Sequence, residues 1–159
     1  MKSVKLISTI MVSVLLLMCS CTRLNGSNAI ESKESFDGVF KMLEMVQSDN
    51  GGVVFAVREC DAPYDEILLF TSRYSYAHGA EAYWANNNND FFILSHDVGV
   101  IPYIFKSNTW ESGYIIRITE SAQGKGSADL IKLLDNTSVE YDYDNIPKEI
   151  IEYLINRNN

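Results

Sequence analysis

The chain has 159 residues, yet only two histidines, three cysteines and 13 basic residues against 21 acidic ones. Each shortage excludes something. His78 and His96 stand alone, neither beside a cysteine or carboxylate at metal-ligand spacing, so no metal is expected, and no cofactor motif points elsewhere. The acidic excess, a formal net charge of −8, excludes nucleic acid as a partner of the domain itself. Gly124-Lys125-Gly126-Ser127 lacks the first glycine and the spacing of a phosphate-binding loop. Asp142, Asp144 and Asn145 lack the glycine and terminal glutamate of a calcium loop.

What is present begins at the N-terminus. Lys2 and Lys5 precede an apolar stretch, Leu6 to Met18, that is too short and too interrupted by serine to span a bilayer comfortably. Cys19, Ser20 and Cys21 close it, a signal-peptide pattern. The region resembles a bacterial lipoprotein signal, which implies that residues 1–20 are removed and that Cys21 carries the lipid. An ordinary secretory signal cleaved nearby, or an uncleaved anchor, are the alternatives. Residues 21–34 then read as a lipidated cysteine and tether, because Leu24, Ala29 and Ile30 are too few apolar groups to bury a core. With Cys21 acylated, Cys60 has no intramolecular partner, and the fold must rest on its apolar core.

Downstream, Phe36, Val39, Phe40, Leu43 and Val46 fall at helical spacing after Ser35, and predict a first helix. Val53 to Val57 predicts a strand buried on both faces. Asp65 and Glu66 suit a helix start before Ile67 to Thr71, a run that fits a strand equally well. Glu81 to Ala85 predicts a strand, Phe91 to Leu94 a short apolar segment with helical potential, and Val98 to Phe105 with Gly113 to Thr119 a hairpin. Ser127 caps a helix through Leu130 and Leu134, and a final helix follows Pro147 with Ile150, Ile151, Leu154 and Ile155 apolar.

Helix, strand, Cys-x-x-Pro turn, helix, strand, helix, Ile-Pro, hairpin, glycine loop and helix, in that order, resemble the thioredoxin fold across residues 36–135. The resemblance implies a three-layer α/β/α domain with a central mixed sheet over residues 35–135, and a C-terminal helical extension over 136–159. It places Cys60 at the nucleophilic position and makes Pro102 the facing cis proline. A helix N-terminus would there lower the thiol pKa. The departures bear on function: Pro63 replaces the resolving cysteine, and Glu59 and Asp61 flank the thiol with charge that opposes its ionisation.

Two functions follow as expectations. One is a lipid-anchored, extracytoplasmic protein of the bacterial cell envelope with monothiol disulfide exchange through Cys60, resolved by an external thiol. The other is a redox-inactive binding or accessory module for an envelope protein or peptide, held to the membrane by its lipid. A buried, inert Cys60 is the bland alternative to the first. The aromatic-rich segment with Tyr74, Tyr76, Tyr83 and Trp84 offers a glycan or peptide surface, although aromatics in a small domain are more often core.

Overall fold

Phe91, Phe92 and Ile93 follow one another without a polar break, and all three are completely buried. Successive side chains of a strand point to opposite faces, so such a run requires cover on both sides. The computed structural model, which describes residues 29–47, 52–63, 65–120 and 126–158, supplies that cover with three layers.

The strands are β1 (Ala29–Glu34), β2 (Phe40–Gln47), β3 (Gly52–Glu59), β4 (Leu69–Phe70), β5 (Tyr74–Ser75), β6 (Ala80–Trp84), β7 (Phe91–Ser95), β8 (Gly99–Lys106), β9 (Thr109–Glu111), β10 (Tyr114–Glu120), β11 (Gly126–Lys132) and β12 (Ser138–Tyr141). Among the described residues one α-helix, α1 (Lys148–Asn158), follows the strands. The first sheet runs β1-β2-β3-β4, with β5 also on β3; the middle sheet runs β6-β7-β8-β9; the third runs β10-β11-β12. Each pairing among the described strands is antiparallel.

Two cores separate the layers. Phe40, Met42, Phe55, Phe91, Tyr103 and Trp110 belong to the core between the first and middle sheets, where the Phe91 and Tyr103 rings stack at 4.5 Å. Phe92, Ile104, Tyr114, Ile116, Leu130 and Ile150 belong to the second core, beneath the third sheet and α1. The register Phe91↔Tyr103 and Phe92↔Pro102 assigns alternate residues of β7 and β8 to alternate cores.

This architecture overturns the thioredoxin-like α/β/α expectation. There is no central mixed sheet among the described residues, and the segments read as helices around Phe40, Phe91 and Leu130 are β2, β7 and β11. Phe36 and Val39, two members of the supposed helical stripe, are exposed, while Phe40, Met42 and Leu43 are buried in a strand. Strands covered on both faces lose the polar alternation that would betray them, and their apolar residues then satisfy a helical spacing by accident. The final helix does form, with Ile146 and Ile150 buried beneath it. Ala29–Glu34, inside the segment read as a tether, pairs with β2.

The Ile101–Pro102 bond is trans, since no cis peptide occurs among the described residues, and Pro102 lies wholly buried in the middle of β8. A buried strand seldom tolerates a residue without an N–H. Here the register explains it. Lys106 and Thr109 close a two-residue hairpin over Ser107 and Asn108, both left-handed, so that pair is the hydrogen-bonded one. Alternation then points the backbone polar groups of residues 104 and 102 toward the β9 side. Since β9 reaches only Ile104, the edge at Pro102 meets no strand, and the missing donor costs no ladder bond.

The asparagine tract Asn86 to Asn89, which follows β6, ties the layers together. Asn89 Nδ2 donates to Asp37 in the first layer at 2.7 Å, and Trp110 Nε1 donates to the Asn89 carbonyl at 2.7 Å. Asn86 Nδ2 donates to the carbonyls of Asp144 and Ile146 ahead of α1. Asp90, itself buried, accepts from the Phe105 N–H at 2.7 Å and from the Tyr141 hydroxyl at 2.8 Å.

Candidate functional site

Beside β8 lies a side groove of about 350 Å³, lined on that strand by Val100, Ile101 and Tyr103. Val100 and Ile101 point to opposite faces of β8, yet both line it, so the groove lies against the strand edge rather than over one face. All three layers contribute. Ser72, Arg73 and Tyr74 come from the first sheet and the turn before β5, Val98, Val100, Ile101 and Tyr103 from β8 and the turn before it, and Gly113, Tyr114, Ile115 and Leu133 from the third sheet and its flanking turns. Gly113, at φ +97, lets the chain break away between β9 and β10, and β10 shares no ladder with β8.

The lining is mostly apolar and within the usual size range of small-ligand sites, roughly 300–1,000 Å³. Val98 is 61 % exposed, Ile115 42 % and Leu133 64 %, an uncovered apolar rim on an otherwise acidic chain. Tyr74 and Tyr103 are both buried, and their hydroxyls meet at 3.2 Å. Burial, reinforced by the hydrogen bond with Tyr103, pushes the Tyr74 phenol far above its ordinary pKa, so it remains a neutral O–H. Arg73 stands at the rim, its aliphatic stem over Gly52, where a Cβ would come within 2.6 Å of Arg73 Cδ.

Cys60 lies elsewhere, in the turn that ends β3, where its N–H donates to the Val39 carbonyl at 2.8 Å. No helix follows it, so the dipole expected to lower its pKa is missing. Desolvation raises the thiol pKa, Glu34 and Asp61 raise it further, and Lys41 and Arg58 oppose them. Cys60 belongs to the first sheet's rim and Pro102 to the middle sheet's second-core face, so the two are not parts of one site. Cys21 and the loop at Gly124 and Lys125 lie outside the described residues. Iodoacetamide should alkylate Cys60 more slowly at pH 8 than a free thiol, with the half-rate point above about 8.5. The folded thiol keeps its proton longer than the unfolded one. Its contribution to stability is therefore present below the unfolded pKa and lost as pH rises through the folded one. A half-rate point at or below the free value would contradict this.

Other hollows are less suited. One of about 150 Å³ between the sheets is small, and its Lys33 ammonium already donates to the Ala82 carbonyl at 3.1 Å. Another is lined by Glu140, Asp142 and Asp144, yet among the described residues no three His, Cys, Asp or Glu groups are placed to share a metal ion. No metal-site or cysteine–histidine arrangement stands near the groove, whose polar groups are phenols, serine hydroxyls and one guanidinium. Sequence reasoning singled out Tyr74 but missed Val98, Tyr103, Ile115 and Leu133. The one local signal was a proline inside an otherwise apolar strand. Neither a protein-family model, nor a curated protein, nor a solved structure matches the chain.

Proposed function

We propose that this protein is a lipid-anchored binding module of the bacterial cell envelope, which takes an apolar ligand into the groove beside β8. The observation that carries the reading is the groove itself: an apolar hollow of about 350 Å³ crossing three layers, with Val98, Ile115 and Leu133 left exposed around it. The anchor is supported by Lys2, Lys5, the apolar stretch to Met18 and Cys21. No helix among the described residues is long and apolar enough to cross a membrane. A single acyl chain gives only weak attachment, and two or more give a stable one.

The neutral fluorophore Nile red tests the groove. Ile115→Ser with Leu133→Ser should weaken its binding about thirtyfold, since each deletes apolar contact worth roughly 1 kcal/mol, while both sites are exposed enough to leave the fold intact. Unchanged binding in that variant would refute the site. Cys21→Ser should move the chain from the membrane pellet to the soluble fraction after cell lysis. If it remains in the pellet, the lipid anchor is wrong.

A further inference from the structure

Two registers agree on which backbone groups of β8 are left over. The Ala85 N–H donates to the Asp90 carbonyl, which turns the even-numbered residues of β7 toward β6 and leaves Phe91, Ile93 and Ser95 to bond Tyr103, Ile101 and Gly99. On the other side of β8, the Lys106↔Thr109 hairpin pair gives the same alternation. The N–H and C=O of Val100 and the C=O of Pro102 therefore point away from β7, along the line of β9. Since β9 stops opposite Ile104, none of these three groups has a hydrogen-bond partner among the described residues. Val100 lines the groove, between a wall holding Ser72 and Tyr74 and another holding Ile115 and Leu133. The groove is thus the place of a missing strand, and an open strand edge is a template for pairing.

From this we infer that the ligand is an extended apolar peptide, which adds to the edge of β8 by continuing the β8–β9 ladder. This deepens the groove reading and rests on it. Continuity with β9 sets the direction, antiparallel to β8. A peptide residue opposite Val100 exchanges two backbone hydrogen bonds with it, and one opposite Pro102 donates a single bond to its carbonyl. Residues paired across a ladder share a face, and Val100 packs on the second core. Those two peptide side chains therefore point toward the third layer, where Ile115 and Leu133 are exposed, and valine or isoleucine suits both places. The alternate positions face Ser72 and Tyr74 and accept threonine. A second copy of this chain fits less well, because the edge is the floor between two walls, and a single strand enters where another three-layer domain is stopped. Pro102 withholds one donor, so a strand that makes no contact with the walls pairs weakly.

The test titrates the full chain by calorimetry with the peptide acetyl-Thr-Val-Thr-Val-Thr-amide, beside a Nile red titration. In line with β9, its two valines stand opposite Pro102 and Val100. N-methylation of both valines removes the donors that face β8 and should weaken binding about thirtyfold. N-methylation of the central threonine, whose N–H faces away from β8, should weaken it less than about threefold. Pro102→Val restores the missing donor and should tighten the unmethylated peptide about fivefold. Near-ultraviolet circular dichroism verifies that this variant is folded; if it is not, the two methylated peptides decide. Equal losses from the two methylations, or no peptide binding while Nile red still binds, overturn the strand inference and leave the groove standing. So does a dimer in sedimentation that the peptide fails to dissociate, since a second copy then holds the edge. Failure of peptide and Nile red alike overturns both.

Discussion

Asp90→Ala should destabilise the fold by about 2–4 kcal/mol, because it strips the acceptor from a buried hydroxyl and a part-buried N–H, each costing up to roughly 1–3 kcal/mol when left unmet. The donors are the Phe105 N–H, at 2.7 Å, and the Tyr141 hydroxyl, at 2.8 Å. The Tyr141 hydroxyl is shielded from water, since Asp90 is 5 % exposed and Tyr141 9 %, and the Phe105 N–H is part-buried. Burial, with the Asp90 carboxylate next in weight, raises the Tyr141 phenol pKa, which keeps it a donor at any working pH. Asn88 Nδ2 adds a third bond at 3.0 Å. For a domain with a total stability of about 5–15 kcal/mol, the loss removes a large share. Urea unfolding measures it as a lower midpoint at unchanged slope. Asp90→Asn, which keeps one carbonyl acceptor, should lose less than half as much. A double cycle of Asp90→Asn with Tyr141→Phe should show coupling of about 1 kcal/mol or more. A loss below about 1 kcal/mol for Asp90→Ala would mean that the three-layer clasp is misplaced.

The second expected result concerns β7. Phe91→Ala and Phe92→Ala should each cost about 3–5 kcal/mol, as deletions of fully buried aromatic rings do. Two neighbours in a strand with one solvated face would differ sharply, one costly and one nearly free. Ile115→Ala, on the exposed face of β10, should stay within about 0.5–1 kcal/mol. The milder pair Phe91→Leu and Phe92→Leu tests the layering itself. The two rings belong to separate cores, so their effects should add to within about 0.5 kcal/mol despite adjacency in sequence. A cheap Phe91→Ala or Phe92→Ala would remove one of the two covering layers from the architecture.

Particular residues decided what could be read from the chain. Val53 to Val57 reads as a doubly buried strand, and Val53, Val57 and Ala56 are buried in β3. Pro147 followed by Ile150 and Ile151 announces the last helix, because a proline start and an apolar stripe act within one turn. Phe91 to Leu94 and Leu130 to Leu134 carry no such local marker. Their apolar residues satisfy helix and strand spacing alike, and choosing between them needs to know which other strands pass on either side. Cys60 followed by Pro63 drew the reading toward a redox fold, yet the turn there leads to β4 rather than to a helix.

Local chemistry alone decides the positions of β3, β6, β8 and α1, the acidic balance and the lipoprotein-type pattern at Cys21, because each rests on residues within a few positions of one another. The three layers, the role of Asp90 and the groove arise from pairings of residues far apart in the chain: Asp90 with Tyr141, Tyr74 with Tyr103, Leu133 beside Val98. A site whose walls come from three sheets has no spacing to read. Only the packing that uncovers one edge of β8 brings those walls together.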